Sequence, residues 1–147
     1  MPMRTWLLPA LLLLVLSGCA DVKTSGDGTA AGSSPTAGSA TGCVVPSDAY
    51  PGAITVKLKP PAAHLQRPLG VKNAGGLVFL AADVTTMDGT PQAKGAVWVA
   101  KDIQGTGAAA LTDDAKQASS LPDAAALYKV SASDPAVAKA KACSASA

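Results

Sequence analysis

His64 is the one histidine of the chain and its main candidate for a general base. Serine catalysis would need a nucleophile beside that base and a carboxylate behind it, and the chain has no Gly-x-Ser-x-Gly elbow. Asp113 and Asp114 are adjacent, and neighbouring residues of a helix do not face each other as two glycosidase carboxylates must. Capping of a helix explains them better. We therefore expect His64 to be an ordinary surface or edge residue and the chain not to be an enzyme.

Three further groups could bind a ligand or an ion. Gly105-Thr106-Gly107, ahead of a predicted helix, is similar to a phosphate-binding turn, but it lacks the Lys-Ser/Thr pair of a P-loop, and we interpret it as a loop. Asp83 and Asp88-Gly89 could hold calcium, although their spacing fits no EF-hand. Trp98 could be a platform for a ligand, but its apolar strand neighbours favour a place in the core. No metal or cofactor is expected.

Cys19 ends the most informative segment of the sequence. One positive residue, Arg4, precedes an apolar run over residues 6–16, which is typical of a signal peptide and shorter than the roughly 20 residues that cross a bilayer. The order Leu16-Ser17-Gly18-Cys19 resembles the lipobox of bacterial lipoproteins. That resemblance implies cleavage after residue 18 and a diacylglyceryl group on Cys19, with acyl chains such as palmitate. Two such chains anchor a protein stably. The alternative is an ordinary signal peptide with an incidental cysteine.

Cys43 and Cys143 remain once Cys19 is assigned to lipid. An exported protein meets an oxidising compartment, in which an even pair of cysteines favours a disulfide. The bridge would close a loop of about 100 residues, worth up to roughly 4.7 kcal/mol in the chain-entropy model. Free thiols or a metal site are the alternatives, and two cysteines with one histidine would lack a fourth ligand for zinc.

Composition limits both the core and the partners. The chain has 147 residues and a net charge of +2, which allows one domain. Alanine accounts for 31 residues and glutamate for none, so the apolar fraction overstates the surface that a core can bury. The charge is near neutral with no basic stripe in the sequence, which argues against nucleic acid as a partner.

Residues 20–42 consist mainly of glycine, serine, threonine and alanine and show neither a helical nor a strand period. Such a segment cannot bury enough apolar surface to become ordered. We expect a signal peptide at 1–18, a lipidated cysteine with a flexible tether at 19–42, and a single domain at 43–147. The tether would reach about 25 Å. Its threonines and serines could carry O-linked sugars, and a bare linker is the simpler interpretation.

The pattern within 43–147 mixes strands and helices. Continuous apolar runs predict strands covered on both faces at Leu77–Ala82 and Gly95–Ala100. Asp88-Gly89 between them predicts an antiparallel hairpin, because the turn needs a positive φ that glycine tolerates. His64–Lys72, with an internal proline and glycine, predicts an irregular edge strand.

Helices are predicted by their starts. Asp134-Pro135 places an N-cap and a first-turn proline before a helix to Cys143, and Thr112 begins a shorter one through about Ser119. The residues expected to be buried are Ala136, Ala140 and Cys143 in the first helix and Leu111, Ala115 and Ala118 in the second. Ser47–Leu58 is ambiguous: its alternating apolar residues are typical of a strand, whereas an aspartate and a proline near its start could open a helix, which we favour.

A second resemblance covers about residues 43–143. The run Leu77–Val84, the glycine-led strand with Trp98, and the helix start Ser131–Asp134 before the last cysteine resemble small secreted actinobacterial lipoproteins. The resemblance implies an envelope location and a compact α+β domain rather than an activity. We expect a small antiparallel sheet with two or three packed helices and one disulfide, preceded by a disordered tether.

The expected function is a non-catalytic binding module, anchored by lipid on the extracytoplasmic side of the cell membrane. Its partner would be an envelope protein or a small ligand. The alternative is a structural or regulatory accessory of a membrane complex. A large exposed apolar patch would favour the accessory, whereas a concave apolar pocket would favour a ligand.

Overall fold

A five-stranded antiparallel sheet forms the centre of the structure, a computed structural model that describes residues 42–147. The strands pair in chain order, and the elements are β1 (Cys43–Val44), α1 (Ala49–Thr55), β2 (Ala62–Lys72), β3 (Val78–Thr86), β4 (Pro91–Ala100), β5 (Ala109–Ala110), α2 (Asp113–Ala118), α3 (Ala124–Tyr128) and α4 (Pro135–Ala145). The expected α+β fold is confirmed. The predicted signal peptide, Cys19 and all of the predicted tether except Gly42 lie outside the described residues.

The central hairpin joins β3 to β4 at the predicted turn. Gly89 has a φ of 85°, and its N–H donates to the carbonyl of Thr86 at 3.1 Å, while the Thr86 N–H donates to the carbonyl of Thr90 at 2.9 Å. β4 begins at Pro91, earlier than predicted, because a proline at the first position of a strand need not donate to the ladder. The hairpin prediction is confirmed.

β2 is an irregular edge strand over most of its length. Only Gly70 and Val71 pair with β1, while the rest of the strand pairs with β3 alone. Its register shifts twice, and near the second shift Arg67 adopts a φ of 51°. Irregularities of this kind keep an exposed strand edge from pairing with other chains. The predicted irregular strand is therefore present from Ala62, but it lies between β1 and β3, and it forms the edge of the sheet only where the two-residue β1 does not pair with it.

The two faces of the sheet pack against different helices, because alternate residues of a strand point to opposite sides. On one face α1 and α2 cover Leu80 and Trp98, and on the other α4 covers Phe79 and Val97. Both central strands are therefore buried on both faces, as predicted. Six alanines belong to the first of these clusters: Ala82, Ala96, Ala100, Ala110, Ala115 and Ala118.

The predicted helices are present, with one correction. Asp134 caps α4 by accepting a hydrogen bond from the Ala136 N–H at 2.8 Å, and every residue expected to be buried in the two predicted helices is buried. α2 begins after Thr112 as predicted, but capping by the side chains of Thr112, Asp113 and Asp114 is wrong. The Thr112 hydroxyl instead accepts from the Val97 N–H at 3.0 Å, which ties the helix start to β4.

The sequence predicts α1 but does not predict α3. α1 confirms the helix favoured within Ser47–Leu58, because Tyr50 and Ile54, four residues apart, are buried while Val56 is 78% exposed. α3 was not predicted. Asp123 caps it by accepting from the Ala125 N–H at 2.8 Å, so the Pro122-Asp123 pair was the available signal.

The predicted disulfide between Cys43 and Cys143 is present, with Cα atoms 5.8 Å apart. It joins the first strand to the last helix. Within residues 42–147, no helix is long and apolar enough to cross a bilayer.

Candidate functional site

Two adjoining cavities meet at Pro60-Pro61, between the end of α1 and the start of β2. The larger one has a volume of about 570 Å³ and the smaller one about 200 Å³. We call them together the proline cleft. Its lining consists of Lys59, Pro60, Pro61, Ala62, Ala63, Thr86, Met87, Asp88, Gln92, Ala93, Asp114, Gln117 and Ala118. Ligand clefts are typically about 300–1,000 Å³, so the proline cleft is large enough for a small molecule.

One wall of the proline cleft is fixed to α2. The Lys59 N–H donates to the carbonyl of Ala118 at 2.8 Å, and the Lys59 Nζ donates to the carbonyl of Lys116 at 2.8 Å. Pro60 and Pro61 follow with fixed φ angles and no N–H groups of their own. This wall is therefore a stiff apolar ridge that is preformed before any ligand binds.

The proline cleft is apolar at the hairpin and polar at α2. Met87 is 79% exposed, and its flexible thioether can adapt to an apolar ligand. Gln92, Gln117 and Asp114 line the other part, where they can donate to and accept from a polar group. The arrangement suits a molecule with an apolar body and a polar end.

Asp88 at the rim of the proline cleft is used in the hairpin turn. Its carboxylate accepts from the Thr86 hydroxyl and from the Thr90 N–H at 3.3 Å. These hydrogen bonds, that from Thr86 above all, hold the pKa of Asp88 below its usual value. The carboxylate is therefore ionised near neutral pH, and the proline cleft contains two carboxylates against the one ammonium group of Lys59. An anionic ligand is disfavoured there.

Asp83 and Asp88 do not share a site. Asp83 accepts from the Gly95 N–H at 2.8 Å and pairs with Arg67. Burial raises the pKa of Asp83, but the bond from Gly95 and the Arg67 guanidinium outweigh it and hold that pKa below its usual value. Within the described part of the chain no three metal-ligating side chains come together. The calcium interpretation thus finds no support at these carboxylates.

His64 does not join a catalytic group in the described structure. Its side chain is exposed on β2, opposite Thr85 in the ladder, and it makes no hydrogen bond to a carboxylate or hydroxyl of residues 42–147. Asp113 and Asp114 are exposed at the start of α2, and Asp114 alone lines the proline cleft. A base, a nucleophile and an orienting carboxylate are therefore not brought together at His64.

N–H groups in and next to the turn Gly105-Thr106-Gly107 are hydrogen-bonded within the loop itself. Asp102 accepts from the N–H groups of Gln104 and Thr106, each at 3.0 Å, and bonds from Thr106 hold the pKa of Asp102 below its usual value. The turn leads into β5, so its expected position before a helix is wrong. A Cβ at residue 105 would lie 2.7 Å from Tyr50, and this close packing explains the glycine without a phosphate.

Trp98 lies in the core, as the favoured interpretation predicted. It is completely buried, and its Nε1–H donates to the Ser119 hydroxyl at 3.2 Å. Sequence reasoning missed the proline cleft itself. The signals that could have indicated it are the adjacent prolines Pro60-Pro61 and the exposed Met87 in the hairpin turn.

The chain matches no protein family, no curated protein and no solved structure.

Proposed function

We propose that this chain is a lipid-anchored, extracytoplasmic binding module whose proline cleft binds a small amphiphile with an uncharged polar head. The apolar ridge of Pro60 and Pro61 beside Met87 carries this proposal, because it would take the apolar body of such a ligand. Gln92, Gln117 and Asp114 would hydrogen-bond its head. The lipobox resemblance at Leu16–Cys19 and the disulfide, which is typical of exported proteins, support the location.

The place of one exposed apolar side chain, Met87, supports a ligand ahead of the accessory role. Among residues 42–147 the large exposed ones are Val45, Val56, Met87, Ile103 and Leu127, and the hydrogen bond from the Ser47 N–H to the carbonyl of Ile103 brings Ile103 close to the segment of Val45. An accessory that docks on a membrane complex would need a contiguous apolar patch. Met87 contributes instead to a concave site, so the accessory remains the second candidate.

Ala63→Trp tests the proline cleft. The indole would fill the apolar part of the cleft, so labelling of residues 59–63 and 86–88 by a diazirine-bearing monoacylglycerol should fall about tenfold, the equivalent of about 1.4 kcal/mol. The label is mapped by mass spectrometry on the lipidated protein in nanodiscs. Leu127→Trp is the matched control, because Leu127 is 53% exposed and lies on α3. Equal labelling of the wild type and Ala63→Trp would contradict the proposal.

Cys19→Ser tests the anchor. Without the thiol no diacylglyceryl group can be attached, so we expect the variant to leave the membrane fraction almost completely and to escape lipid-dependent processing. Cell fractionation and intact-protein mass report the two effects. Ser33→Ala, in the predicted tether, should remain with the membrane. Normal membrane retention of a Cys19→Ser chain that has been processed would rule out the lipoprotein assignment, whereas an unprocessed chain still carries the apolar run of residues 6–16.

A further inference from the structure

Two cavities rich in cations flank α4. Near its C-terminal end, Arg67, Lys94 and Lys141 line a cavity of about 280 Å³. Near its N-terminal end, Lys72 and Lys139 line another of about 370 Å³. We call these five side chains the α4 basic face.

The cations of the α4 basic face are incompletely neutralised. The same two cavities contain two carboxylates, Asp83 and Asp134. Asp83 pairs with Arg67, and Asp134 is used as the N-cap of α4. None of the four lysines forms an ion pair within residues 42–147, where the salt bridges are Arg67–Asp83 and Lys116–Asp123. The α4 basic face therefore has an excess of three positive charges, whereas the whole chain has +2.

The fold gathers cations that are scattered in the sequence. Ser144 donates from its Oγ to the carbonyl of Arg67 at 2.9 Å, which holds the end of α4 against the irregular part of β2. Gly95 has a φ of 59°, and the methylene stem of Lys141 lies 3.5 Å from the position that a Cβ of residue 95 would occupy. β4 thus leaves room for Lys141 beside Lys94. The sequence shows no basic stripe, so it did not predict this surface.

The described domain begins beside α4. The chain that leads back to Cys19 leaves the described domain at Cys43, which is bonded to Cys143 of α4. Ser144, the next residue, lines one of the two basic cavities. The segment between the predicted anchor and the domain therefore joins the domain beside the α4 basic face, and it has 23 residues, 20–42.

We propose that the α4 basic face docks on the phosphate groups of anionic lipids in the membrane that holds the anchor, an inference that rests on the proposed lipid anchoring. Lysine and arginine side chains near an anionic leaflet are attracted to it, and the attraction falls off within a Debye length. α2 covers the opposite face of the sheet from α4 and lines the proline cleft. Docking through α4 would thus turn the proline cleft away from the membrane.

The test uses the full lipidated chain in vesicles of phosphatidylcholine, with and without phosphatidylglycerol. Lysine acetylation rates are measured by mass spectrometry. Phosphatidylglycerol should lower the rates at Lys94, Lys139 and Lys141 roughly tenfold, and high salt should restore them. Lys57 and Lys101, which are exposed and line neither basic cavity, should be unaffected. Equal rates in both vesicles would overturn the proposal.

A variant and a competitor separate lipid from free phosphate. In Lys139→Gln/Lys141→Gln the protection of Lys94 should be lost, while in the matched Lys57→Gln/Lys101→Gln it should persist. Protection of Lys94 and Lys141 by inorganic phosphate in phosphatidylcholine vesicles alone, with no added effect of phosphatidylglycerol, would overturn docking on lipid. Intact mass reports whether Cys19 is acylated. An acylated chain without protection overturns the docking alone, whereas a chain without acyl groups overturns the proposed anchor.

Discussion

Replacing both Cys43 and Cys143 with alanine is expected to lower the free energy of unfolding by about 4 kcal/mol. The bridge closes a loop with a sequence separation of 100, for which the chain-entropy model gives about 4.7 kcal/mol. It also holds the two-residue β1 to α4, and α4 supplies Ala136, Val137 and Ala140 to the core on its side of the sheet. Freed from the bridge, both ends of the domain would fray first.

Thermal unfolding of the wild type and the double variant, followed by circular dichroism, measures this effect. For a domain of this size, a loss of about 4 kcal/mol corresponds to a fall in Tm of roughly 15–30 °C. Reductant should lower the Tm of the wild type to a similar extent and leave the double variant unaffected. Alanine is preferred to serine because Cys143 is buried. An unchanged Tm in the double variant would contradict the expected role of the bridge.

Much of the fold could be predicted because its signals are local. Asp134-Pro135 specifies a helix start within two residues, and Asp88-Gly89 specifies the turn that sets the register of β3 against β4. Where the structure differs from the predicted helix cap, the cause is a tertiary contact. The Thr112 hydroxyl bonds to Val97 in β4 rather than to its own helix, and nothing in the local sequence encodes that partner.

The surfaces that carry the proposals could not be predicted in the same way. The proline cleft joins residues near position 60 to a hairpin and a helix that lie far along the chain. The α4 basic face combines cations from β2, β4 and α4. Both surfaces depend on which strands pair and on which side of the sheet each helix packs. Composition and residue spacing alone were therefore insufficient to predict either surface.

Trp98 has an unusual role because alanine forms much of the core around it. It is paired with Ala110 in the neighbouring strand, and Ala96 and Ala100 lie two residues away on the same face of β4. The cost of truncating a core residue depends on how far its neighbours can move into the space left behind. An alanine side chain is a single methyl group and cannot fill the volume of an indole.

Trp98→Ala is therefore expected to cost about 5 kcal/mol, the upper end of the usual range of 3–5 kcal/mol for such truncations. Total stabilities are typically about 5–15 kcal/mol, so the variant should lose roughly a third or more of its stability. Trp98→Phe retains most of the packing and should cost less. Ser119→Ala isolates the hydrogen bond: it leaves the buried Nε1–H without its partner, at a cost of about 1–3 kcal/mol. Urea denaturation of the three variants gives the order. A loss below about 1 kcal/mol for Trp98→Ala would be typical of a surface position and would contradict its place in the core.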